Sequence, residues 1–250
     1  MLKMGTKKLL MIVAMLFGMV PSSIFHFPFS ISQVYAQVGE YRNTLAIGVN
    51  GGMALNKVSF DPTIKQSYHQ GFMGGLTLRY TSEKYFKMLC AVQVEVNYTQ
   101  MGWKEKIETS SDTYSRTVNY IQVPFLARLG FGKEEKGVMG FLVLGPQVGF
   151  YLSDKDKRSG EWSDATLDLR PNHVVEQYDL KIQRKFEYGL TGGFGMEINT
   201  RHAGHFLLEG RYYFGLSGMF NDGKADPFGR SANGAIVAKV SYLFDVLKAK

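Results

Sequence analysis

Between residues 43 and 245 the chain alternates, in stretch after stretch, between side chains that avoid water and positions that are polar or glycine. A period of two belongs to β-strands rather than helices, and it predicts strands near 43–55, 70–81, 86–100, 114–131, 137–152, 180–199, 204–217 and 232–245. The clearest is the third, where Val92, Val94, Val96 and Tyr98 share one parity and Gln93, Glu95, Asn97 and Thr99 the other. The sixth sets Tyr188, Leu190, Phe194, Met196 and Ile198 against Gly189, Thr191, Gly193, Gly195 and Glu197. In the seventh, Phe206, Leu208, Tyr212 and Phe214 oppose Glu209 and Arg211; in the eighth, Ile236, Val240, Tyr242 and Phe244 oppose Lys239 and Ser241. The fifth is apolar on both parities, so its facing stays open.

The connections alternate in length. Ser82 to Tyr85, Gly132 to Lys136 and Thr200 to Ala203 read as tight turns, whereas Asn56 to His69, Met101 to Asp112, Ser153 to Asp179 and Gly218 to Ser231 read as longer polar loops. Short periplasmic turns and long outer loops are the habit of outer-membrane barrels. That arrangement puts Tyr80, Phe86, Phe131, Phe141, Phe206, Tyr242 and Phe244 near one interface and Phe72, Tyr98, Phe150, Tyr188 and Phe214 near the other, as two aromatic girdles.

Strand alternation alone also fits a soluble barrel or sandwich with its apolar face inward. The charges decide between the two. Arg79, Glu95, Arg128, Glu197, Glu209, Arg211 and Lys239 all fall on the face that carries the small glycines, which suits a narrow interior filled by paired side chains. The expectation is therefore an all-β, eight-stranded, antiparallel up-and-down transmembrane barrel.

Composition narrows the rest. Lys3, Lys7 and Lys8, an apolar run from Leu9 to Val20 and Val34-Tyr35-Ala36 have the layout of a secretory signal peptide cleaved near Ala36/Gln37, which leaves 37–250 as one barrel domain in the outer membrane. No later apolar run reaches the length of a helical span. The one cysteine, Cys90, excludes a disulfide framework. With 29 basic and 22 acidic residues, less the three leader lysines, the remainder carries a mild and scattered +4, and no nucleic-acid partner is expected.

Short patterns along the barrel resemble the PorT-like outer-membrane β-barrel family: Gly48-Val49-Asn50-Gly51-Gly52, Tyr120-Ile121-Gln122-Val123-Pro124-Phe125, Gly145-Pro146 and Tyr242-Leu243-Phe244. The resemblance implies a small eight-stranded outer-membrane barrel, some relatives of which serve in protein secretion. Such proteins often finish on an aromatic residue, whereas this chain continues from Phe244 through Asp245 to Lys250.

Buried charges need partners, so the seven lumen residues are expected to form an ion-pair network, with Glu209 near Lys239 and Glu95 near Arg128. Such a network acts as a gated passage or as a structural plug, and the narrow interior favours the plug. Enzyme chemistry has thin support: His69 and His173, with Ser67, Asp154 and Asp179, lie on the outer side without a nucleophile motif. His202 and His205 lack a third metal ligand. No catalytic, cofactor or metal residue is assigned. Trp162, in the long charged loop, is either a contact for an outside partner or packing within the loop. The strand pattern continuing up through Leu180 and Ile182 would lift that loop as a ribbon. The expected function is a structural or surface-binding barrel whose partners are membrane lipid and a protein or glycan at the loops. The alternative is a component of a secretion machine acting through Lys133 to Lys136 or Arg201.

Overall fold

The structure is a computed structural model and describes residues 40–134, 136–160, 162–168, 170, 174–200 and 203–248. The expected signal peptide, His173, Arg201 and His202 lie outside these residues. The strands are β1 (Glu40–Asp61), β2 (Gln66–Ser67), β3 (His69–Tyr85), β4 (Met88–Glu105), β5 (Thr113–Gly132), β6 (Gly137–Ser159), β7 (Phe186–Thr200), β8 (Gly204–Gly218) and β9 (Arg230–Lys248). Eight of them are long. Each pairs antiparallel with the next around a ring, β9 returns to β1, and β4 joins β5. The two-residue β2 adds to the upper end of β4, opposite Lys104 and Glu105. Closure gives the backbone polar groups of the wall partners within the ring, the condition for a sheet to stand in hydrocarbon.

The wall is inside out relative to a soluble protein. Phe194 is 70% exposed, Leu144 65% and Val240 59%, whereas Glu95, Lys239 and Arg128 on the opposite parity are 1%, 1% and 2% exposed. A continuous apolar exterior of this kind is unsustainable in water and suits lipid. The exposed aromatics lie in two rows, with the segment from Phe72 to Tyr80 spanning nine residues of β3 and that from Phe206 to Phe214 nine of β8. That is the length with which a tilted strand crosses the hydrocarbon, about 9–11 residues.

Both ends of the described chain and the three short turns lie at one end of the ring, here the turn end; the opposite end carries the long connections and is the loop end. Three expectations are corrected there and in the wall. First, β3 runs on to Tyr85 and turns at Phe86 and Lys87, and β1, β4 and β6 climb to Asp61, Glu105 and Ser159. Polar residues on both parities mark strand that has left the membrane, not the end of the strand. Second, β7 starts at Phe186 rather than 180, and Ile182 is buried in a non-strand segment, so the raised ribbon is made by β5 and β6 instead. Third, Phe141 belongs to no girdle: it points inward at 2% exposure, under the guanidinium of Arg128.

The upper lumen is filled with apolar side chains. Trp103, Phe220 and Phe228 are fully buried, and Phe60 packs edge-on against Trp103 at a centroid distance of 5.2 Å. The connection after β6, with a short helix at Asp164–Asp168 and a 3-10 turn at Glu176–Tyr178, folds down over this cluster and adds Val174, Tyr178 and Ile182. At about 1.5–3 kcal/mol for each large side chain removed from water, this cap is a substantial core of its own.

Candidate functional site

The interior is stacked in layers. The middle layer centres on Glu95, which the β4 alternation turns inward. Its two oxygens accept hydrogen bonds from Arg211 at 2.7 and 2.9 Å, from Lys239 at 2.5 Å, from Gln93 at 2.6 Å and from Asn97 at 2.8 Å. Glu209 completes the knot, bonded to Arg211 Nε and 3.6 Å from Lys239, its neighbour across the β8–β9 ladder. Glycines make room for the long side chains: a Cβ on Gly52 would stand 2.2 Å from the Ala238 carbonyl and 2.7 Å from Lys239 Cβ.

Arg128 does not meet Glu95, contrary to the expected pairing. Position 128 sits opposite Ala91, about two rungs nearer the turn end than Glu95, and its guanidinium reaches past β6 to Glu197 on β7. Arg79 joins the same carboxylate at 2.7 Å. The network is thus two clusters at two heights, with Glu95 and Glu197 as their separate anchors.

Sequence reasoning missed the third partner of Glu197 in the lower cluster. His205 places Nδ1 2.9 Å from Glu197 Oε1 and 2.7 Å from Asn199 Oδ1, while Nε2 lies 3.1 Å from both oxygens of Asp245. Its inward parity on β8, two rungs from Glu209, was the available signal. Arg79, Arg128, Glu197, His205 and Asp245 line a cavity of about 660 Å³. Arg42 also lines it; it pairs with Glu134, the acceptor of Lys84 as well. Above the middle knot the lumen narrows to a residual void of about 20 Å³.

The uppermost layer ties the cap down. Glu105 accepts hydrogen bonds from Tyr178 at 2.7 Å and Gln177 at 3.1 Å, and Arg170 is paired with Asp112 at 2.7 Å. Burial raises the Glu105 carboxyl above its ordinary value, against the pull of the bonds from Tyr178, Gln177 and Trp103. Trp162 is no free-standing side chain: it is half-buried, edge-on to Tyr178 at 4.9 Å, with the Arg158 and Arg170 guanidinium groups 5.4 and 5.2 Å from its ring.

The weighed enzyme residues are not assembled. His69 contacts Thr117 Oγ1 at 3.1 Å, Asp154 is held by Arg116 and Tyr151, and Asp179 pairs with Arg158. Among the described residues no group of three or more metal-ligating side chains occurs.

Similar barrels are known. The chain resembles the outer membrane protein OprG from Pseudomonas aeruginosa, with 11% identity, 82% of this chain and 98% of that one covered, and a TM-score of 0.47. For Neisserial surface protein A the figures are 14%, 82%, 100% and 0.41. For Ail, the attachment invasion locus protein of Yersinia pestis, they are 14%, 82%, 99% and 0.35, and Ail is also known in complex with the heparin analogue sucrose octasulfate. No curated protein matches the sequence. The family model for the outer membrane protein beta-barrel domain matches residues 35–221, most of the chain including seven of its eight long strands. An inverted wall, a closed antiparallel ring and this match together establish that the chain belongs to the outer membrane protein beta-barrel domain family.

Proposed function

We propose that this protein is a sealed, non-enzymatic surface barrel of the outer membrane, whose capped loop end presents a rigid platform to a protein or glycan outside the cell. The carrying observation is that the lumen is stopped at two heights, by the fully buried Glu95–Arg211–Lys239 knot and by the Trp103–Phe220–Phe228 packing above it. A pore needs a continuous wet path, and eight strands leave an interior only wide enough for side chains. On this reading the ion pairs are a structural plug and Trp162 serves to fix the loop against Tyr178. Purified protein in planar bilayers is expected to give no stable conductance steps; sustained ohmic steps would overturn the sealed reading. Deleting the loop from 160 to 183 is expected to abolish partner capture while the barrel remains folded.

A second reading rests on the 660 Å³ cavity at the turn end, which faces the periplasm in a barrel of this orientation. Together with the PorT-like sequence patterns it supports a place in a secretion machine, with a periplasmic partner engaging Lys133, Glu134 or Arg201. Photo-crosslinking from position 133 in cells separates the two: a specific periplasmic adduct favours the machine, and its absence favours the surface platform.

A further inference from the structure

Above the loop-end girdle, three neighbouring strands align their outward side chains into level rungs. One rung is Tyr98–Ile121–Phe150, at the height of the aromatic row. Four residues further along β4 comes Gly102–Thr117–Lys155, and six residues further Lys104–Ser115–Lys157. At about 3.3 Å per residue on a strand tilted by about 40°, these stand about 10 and 15 Å above the girdle. A lysine stem bends back several ångströms to bring its ammonium toward the interface.

On these two rungs the outward positions are lysine, serine, threonine or glycine, with no carboxylate. The acids of β6, Asp154 and Asp156, share the inward parity and are occupied by Arg116 and Arg158. Among the described residues Lys104, Lys155 and Lys157 form no ion pair, although other exposed basic groups at the loop end do, such as Arg184 with Asp222, and Lys65 and Lys106 with Glu108. Into this strip reaches His69, bonded to Thr117 beside the side-chain-free Gly102. Its imidazole is held below its ordinary value by burial and then by the charges of Lys104 and Lys157.

We infer that Lys104, Lys155 and Lys157 form a docking strip for the phosphate groups of anionic lipids in the outer leaflet. Three unpaired ammonium groups on the flank of the wall, rather than on the top of the cap, face the headgroup layer sideways. The hydroxyl of Ser115 between them supplies a donor to the same oxygens. The strip stands whether or not the cap above it binds a partner.

The test uses the refolded full barrel in phosphatidylcholine nanodiscs with and without a minor fraction of diphosphoryl lipid A, and counts retained lipid A by native mass spectrometry after detergent extraction. Each Lys→Gln change is expected to weaken retention about fivefold, the weight of one lysine near an anionic surface. The triple variant K104Q/K155Q/K157Q should lose retention, the triple Lys→Arg variant should keep it, and R184Q/K185Q should be unaffected. Heat-dependent gel mobility checks that each variant is folded. In the unaltered protein, adding lipid A is expected to raise the His69 titration seen by NMR, since a phosphate offsets the lysine field. Equal retention by the triple Gln variant, equal loss in R184Q/K185Q, or a His69 titration indifferent to lipid A would each overturn the inference.

Discussion

Replacing Glu95 with glutamine probes the proposed plug at its anchor. The carboxylate accepts five hydrogen bonds and faces two cations, Arg211 and Lys239, all inside a region of at most a few per cent exposure. The amide keeps the shape but brings one of its own N–H groups against donors and leaves two cations with Glu209 alone. Removing one partner of a buried ion pair costs about 3–5 kcal/mol. With a urea slope of about 2 kcal/mol/M, the unfolding midpoint of E95Q in lipid vesicles should fall by about 2 M. Adding Lys239→Met to E95Q removes the less well paired cation and should recover part of that loss, whereas K239M alone should be destabilising. A midpoint shift below about 0.5 M for E95Q, or strict additivity in the double variant, would refute the reasoning.

Two further outcomes concern the cap. Truncating Trp103 to alanine empties the centre of the upper cluster, at a cost of about 3–5 kcal/mol; the loop from 160 to 183 should become sensitive to trypsin while the heat-modifiable barrel band persists, and a loop as resistant as before would contradict the packing described. Glu105 supplies the pH dependence: its folded value lies above the ordinary 4.5, so its contribution to cap stability is full below that value and is lost as pH rises through the raised one. Amide exchange over 174–183 should therefore quicken as pH climbs from 4 toward 7, after correction for intrinsic rates, and Glu105→Gln should flatten that trend; equal slopes in both proteins would count against it.

Strand number and facing were legible in the sequence because lipid and lumen impose opposite demands on alternate residues. Val92, Val94 and Val96 against Gln93, Glu95 and Asn97 state the fold almost alone. Heights were less legible. Met101 to Glu105 and Ser153 to Ser159 read as loop because outward residues turn polar once a strand leaves the hydrocarbon, and polarity then no longer distinguishes strand from loop. The inward set of charges followed from parity, and so did the meeting of Glu209 with Lys239 across one ladder. The partner of Arg128 did not, because Glu197 lies two strands away, past β6, and side chains that meet through the interior are set by barrel stagger rather than by pairing on one ladder. Phe141 was misplaced for a related reason: β6 is apolar on both parities, and only the register against β5 shows which row faces Arg128.

The central claim, that lipid wets one row of the wall while the other is sealed within, is tested most directly by a spin-label scan along β6 in vesicles, with Cys90 replaced by serine. Leu142 and Leu144 face outward at 52% and 65% exposure, and Phe141 and Val143 face inward at 2% and 3%. Labels at 142 and 144 should collide freely with oxygen and hardly with a water-soluble nickel chelate, and labels at 141 and 143 should be immobilised and shielded from both. Strong nickel collisions at 142 and 144, or a profile without the period of two, would contradict the account.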